Sequence, residues 1–111
     1  MQTNVHHIFN LNETKTFSED DAYELVNLFL AVTVKAKNQI NGLSSKLEYY
    51  KSQPEEADKI QFELNEAIQK WSEKMRRLGG TPLALYKVKI PAENGFFIWE
   101  HPKATLEFFI D

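Results

Sequence analysis

The chain has 111 residues, no cysteine and a formal net charge of −3. That length accommodates one domain (1–111) with one modest core, and 42% hydrophobic with 13% aromatic content excludes disorder as the main state. A pI near 5.6 provides no basic field for nucleic acid or an anionic membrane, and a cysteine-free chain has neither a disulfide framework nor thiolate chemistry.

The opening MQTNVHHIFN lacks the basic and apolar regions of a secretory signal. The most apolar run, Leu25 to Val34, is about half the length of a bilayer span and contains Asn27 and Thr33. A cytoplasmic location without membrane association is therefore expected. Within the opening stretch, Val5 to Leu11 alternates in polarity and is a candidate strand.

A helix start is written at TFSEDDAYEL. Ser18 suits the N-cap, Asp21 stands at the capping-box position, and Glu19, Asp20 and Asp21 place negative charge on the positive end of the helix dipole. Phe17 and Ala22 hold the two staple positions. Apolar or small residues then recur at Ala22, Val26, Phe29, Thr33, Ala36, Ile40, Leu43, Leu47 and Tyr50, in alternating steps of four and three. This is the period of a coiled-coil seam. Gly42 costs about 1 kcal/mol relative to alanine inside a helix, but the seam keeps its phase across it. The spacing predicts one long helix over 18–51.

Pro54 with Glu55, Glu56 and Asp58 opens a second helix, predicted over 54–78. Its seam is Ala57, Ile60, Leu64, Ala67, Trp71, Met75 and Leu78. Lys74, Arg76 and Arg77 followed by Gly79-Gly80 and Pro82 form a stop signal. Laid antiparallel about the Pro54 turn, the two seams set Trp71 opposite Ala36 and Ala67 opposite Ile40. Interdigitated packing needs that kind of size complementarity.

Beyond Pro82 the period becomes two, and a β-hairpin with a possible third strand is expected over 83–110. Tyr86, Val88 and Ile90 share one face of LALYKVKI, with Lys87 and Lys89 on the other. Asn94-Gly95 is a strong hairpin-turn signal. Read as a two-residue turn, it pairs Ile90 with Trp99, Lys89 with Glu100 and Val88 with His101. Pro91 inside the strand argues for an edge or a bulge. Ala104 to Ile110 is the candidate third strand.

The ionisable residues of NGFFIWEHPK invite a catalytic reading. Glu100 and His101 are adjacent on an extended segment and point to opposite faces, so they cannot form a dyad with each other. The same holds for His6 and His7. A metal held across strands by His7 and His101 is the alternative, without a third ligand motif to support it. KWSEKMRRLGG reads as a solvated helix end whose cations match the dipole, with an acidic-partner or phosphate site as the competing reading. No phosphate loop or nucleophile–base motif is present, so neither an enzyme nor a cofactor is expected.

FSEDDAYEL opening a long helix, a second helix ending in LGG, the strand LALYKVKIP, then GFFIW and LEFF together resemble a bacterial family, domain-of-unknown-function family 2203. The resemblance spans most of the chain. It departs where the family has Gly-Glu soon after the tryptophan and a terminal aromatic-histidine pair; here EHPK follows Trp99 and the chain ends FFID. The family has no established activity, so the resemblance implies a fold and no reaction.

These readings give an α+β fold: a long antiparallel helical hairpin with a small antiparallel sheet at its open end, where Trp99 and Val88 pack on Phe29. Function divides between a non-enzymatic interaction or scaffold module with an unknown protein partner, and a small-molecule or metal-binding domain built on His101 with another histidine or a carboxylate. Leu28, Leu30, Val34, Phe96, Ile98 and Phe109 are the candidate interaction surface. Leu25, Leu28, Leu30, Val32 and Val34 lie off the helix seam. An open apolar edge near Leu106 to Ile110 adds to them, and both features favour a homodimer. The competing arrangement is a monomer in which Val5 to Leu11 covers the same surface.

Overall fold

Helix α1 (Glu19–Tyr50) begins where the capping residues require, with the Asp21 amide donating to the Ser18 hydroxyl at 3.2 Å. It runs through Gly42 without a break. The computed structural model describes residues 15–111, so the candidate strand Val5 to Leu11 and both of its histidines lie outside the described residues. After a short turn comes α2 (Pro54–Leu78), seven residues shorter (32 − 25).

The end of α2 is a Schellman motif. The Gly80 amide donates to the Met75 carbonyl at 2.9 Å, and the Gly79 amide donates to that of Arg76 at 3.1 Å. Gly79 has a φ of 111° and receives the Phe17 ring where its Cβ would be. A side chain there is excluded by conformation and by space. Phe17 therefore ties the entry of α1 to the exit of α2.

The two helices pack as an antiparallel hairpin. Ile40, Ile60 and Ala67 are buried along the arm, and Ala22, Leu25, Val26, Phe29, Trp71 and Met75 are buried at its open end. Thr33, the polar member of the α1 seam, is fully buried and accepts a 2.8 Å hydrogen bond from the Trp71 indole. Thr33→Val is expected to cost about 1–3 kcal/mol, because it leaves a buried N–H without a partner. The double variant with Trp71→Phe should recover part of that loss in urea unfolding; equal losses would show that the bond contributes nothing.

Four strands follow: β1 (Thr81–Ala84), β2 (Lys87–Ala92), β3 (Gly95–Glu100) and β4 (Glu107–Ile110), antiparallel and in the order β1-β2-β3-β4. The segment expected as a single strand, LALYKVKI, is instead a hairpin. The chain reverses at Leu85-Tyr86, with Tyr86 at a φ of 67°. No glycine, proline or asparagine marks this turn, and Tyr86 holds its left-handed conformation within tertiary contacts to Trp71 and His101.

The β2–β3 register also differs from the expected one. The turn residues are Glu93 and Asn94, so Ala92 pairs with Gly95, Ile90 with Phe97, Val88 with Trp99 and Lys87 with Glu100. Asn94 supplies the positive φ, at 66°, that a tight turn requires at its second central position. Gly95 is freed for another role. A Cβ on Gly95 would collide with the Phe109 carbonyl oxygen and lie 2.9 Å from Phe108 Cζ, so glycine there lets β4 approach. A slip of two residues leaves the faces unchanged. Val88, Ile90, Phe97 and Trp99 remain on the buried face.

Pro91 is tolerated because β1 pairs only as far as Lys89; past that point the Pro91 carbonyl accepts from the Phe17 amide at 2.9 Å. The sheet closes over the open end of the hairpin as expected. Trp99 is fully buried with its ring 5.5 Å from that of Phe29, and Val88 is buried beside it.

Candidate interaction surface

The six candidate surface residues do not form one patch. Leu30 is half-buried against the core with Val32, and Leu25 is buried. The fold therefore covers three of the five off-seam residues of α1. Leu28 and Val34 remain about half exposed. Six residues at about 100° each set them roughly 120° apart around the helix, so no single flat partner covers both.

The sheet residues do converge. Phe96 and Phe109 are cross-strand partners on the outer face, stacked at 5.4 Å with an interplanar angle of 18°. Ile98 is half-buried on the same face, and Lys89 Nζ lies 4.6 Å from the Phe96 ring centroid, a cation–π contact. Phe108 and Ile110 fall within the apolar edge expected near Leu106 to Ile110, though the sequence did not single them out as surface residues. Phe108 stands opposite Phe97 at 5.2 Å yet is 48% exposed, and Ile110 is 79% exposed. The signal was present in EFFI: four residues with alternating faces and only one charge.

β4 pairs with β3 alone among the described residues, which makes it an edge strand. The Asp111 amide donates to the Asn94 carbonyl, and the Phe109 carbonyl points at Gly95. Residues 107, 109 and 111 therefore direct their backbone groups toward β3. By the alternation of an antiparallel ladder, 106, 108 and 110 direct theirs outward.

His101 sits just beyond β3. Its amide donates to the Tyr86 carbonyl at 3.0 Å, and its ring lies 6.0 Å from that of Tyr86 and 6.2 Å from that of Trp99. It does not face Val88. The turn Glu100–Lys103 contains a cis His101–Pro102 peptide, and the Trp99 indole donates to the Lys103 carbonyl at 2.7 Å. The His101 Nδ1 and the Tyr86 hydroxyl are buried with no hydrogen-bond partner among the described residues. Burial and the nearby Lys37 ammonium both hold the His101 pKa below its ordinary value, and Lys37 also opposes a bound cation. Burial raises the Tyr86 hydroxyl. Among the described residues no group of three His, Cys, Asp or Glu is placed to hold a metal ion. His7 lies outside them.

The lowered His101 pKa has a pH signature. The unfolded chain takes up a proton near the ordinary value of about 6.5, whereas the folded chain resists it to lower pH. Stability from this residue is thus present above the unfolded pKa and lost as pH falls through the folded one. Urea midpoints measured between about pH 7 and 5 should decline less steeply in His101→Gln than in the parent. Identical slopes would remove His101 as their source.

A cleft of about 450 Å³ runs along the helix pair, floored by Val32, Ala36 and Trp71 and flanked by Lys35 and Lys74. Among the described residues no carboxylate or imidazole lines it. No described helix is long and apolar enough to cross a membrane. No family model matches this chain, and neither a curated protein nor a solved structure matches it.

Proposed function

We propose that the protein is a non-enzymatic protein–protein interaction module, resembling family 2203, that presents the outer face and free edge of its sheet and associates with itself through them. The observation that carries this reading is β4. It is one of the two edge strands among the described residues, its four residues are all exposed, and three of them are Phe108, Phe109 and Ile110. Leaving such side chains in water forgoes about 1.5–3 kcal/mol each, and the outward backbone groups of Phe108 and Ile110 can receive another strand. The helical hairpin is the rigid arm on which this edge is mounted.

Sedimentation equilibrium tests the reading. A homodimer is expected at micromolar concentration, with a mass twice the 12.9 kDa of the chain. Ile110→Lys, at a position too exposed to matter for folding, should shift the equilibrium toward monomer. A mass that stays at 12.9 kDa up to high micromolar concentration would refute self-association.

A further inference from the structure

We infer that two copies pair β4 against β4 across a two-fold axis in one register, with Phe108 opposite Phe108 of the second copy and Leu106 opposite its Ile110. This inference deepens the self-association proposed above and rests on it. The argument begins with the backbone. Only residues 106, 108 and 110 turn their amide and carbonyl groups outward, so a pairing strand must be received at those positions. The same three residues are Leu106, Phe108 and Ile110, all apolar.

Residues directly opposite in an antiparallel pair share a face, and a two-fold axis normal to the sheet preserves faces. Residue 108 therefore cannot stand opposite 109. Two central registers remain, one pairing 108 with 108 and one pairing 109 with 109. The second places Glu107 of each copy directly opposite Asp111 of the other, two like-charge pairs in one short interface, which is unfavourable. The first sets Glu107 opposite Phe109 and leaves no like charges directly opposite, the two Glu107 standing only on the longer diagonal. It also places the most exposed apolar side chain of the strand, Ile110, against the half-buried Leu106, which packs on the core.

Occupancy by a second copy follows from this self-complementarity: outward backbone groups, apolar side chains and charge spacing all fit their own two-fold image. Among the described residues, pairing must release the weak 3.4 Å bond from the Leu106 amide to the Tyr23 hydroxyl. The result is a continuous sheet across the dimer, with the Phe96–Phe109 stack of each copy on its outer face.

The native chain has no cysteine, so single-cysteine variants report the register without interference. Under mild oxidation Phe108→Cys should form a disulfide-linked dimer on a non-reducing gel, while Phe109→Cys should yield about tenfold less, since only the former faces its own image. A second variant does not depend on oxidation or on the phenylalanines. Glu107→Lys should leave the dimer dissociation constant from sedimentation within about twofold, whereas the alternative register would convert two repulsive pairs to attractive ones and tighten it about tenfold or more. Preferential linkage through Phe109→Cys, or tightening by Glu107→Lys, overturns the register. A dimer that neither cysteine links also overturns it and leaves self-association standing. A monomeric native chain overturns both.

Discussion

Trp99→Ala is expected to destabilise the fold by about 3–5 kcal/mol, the range for truncating a buried large aromatic. The indole is fully buried, packs on Phe29, and sends its N–H to the Lys103 carbonyl at 2.7 Å. It therefore carries both the apolar contact between sheet and hairpin and the anchor of the turn leading toward β4. Domains of this size have only about 5–15 kcal/mol in total, so the loss is a large share of the whole and should appear as a large drop in the urea midpoint. Trp99→Phe keeps the ring contact, forgoes the indole bond and should lose less. Urea unfolding followed by helical circular dichroism measures both. A loss under about 1 kcal/mol for Trp99→Ala would mean that the helices hold together without the sheet.

Gly95→Ala should act on β4 selectively. The added Cβ meets the Phe109 carbonyl oxygen, which is main chain and cannot rotate away, and lies 2.9 Å from Phe108 Cζ. Overpacking of this kind costs about 1–3 kcal/mol, and the cheapest relief is for β4 to move away from β3. Hydrogen exchange should then show lost protection at the Phe109 and Asp111 amides, with Val88 and Trp99 still protected. Self-association should weaken with it, because the pairing edge is no longer held. Preserved protection at Phe109 would show that the two strands separate enough to admit a methyl group and that glycine is not required.

The contrast between Gly95 and Gly42 shows what can be read from a sequence and what cannot. Gly42 looked like a break, yet the seam from Ile40 to Leu43 to Leu47 argued for continuity, and α1 is continuous. Gly95 looked like a turn residue and is a strand residue, because its partner on β4, Ile110, lies fifteen residues away. Only tertiary proximity could reveal that. The Leu85-Tyr86 reversal was invisible for a similar reason: nothing local favours a positive φ at a tyrosine, and contacts to Trp71 and His101 accompany it. The Thr33–Trp71 bond spans 38 positions, and one polar residue in a seam gave no hint of its partner.

The sequence by itself determined the helical hairpin, its caps, the switch to strands and the buried face of Val88, Ile90 and Trp99. Each of these depends on periodicity or on a cap a few residues long, and such signals survive without knowledge of distant contacts. The tertiary structure alone decided the division of LALYKVKI into β1 and β2, the strand register, the close approach that reserves Gly95 for glycine, and the division of the apolar surface. Among the described residues Leu30 is covered, Leu28 and Val34 are separated around the helix, and Phe108 and Ile110 on the expected open edge stay exposed. Burial off the seam depends on which element arrives from far along the chain, and hydrophobicity at one position carries no record of that arrival.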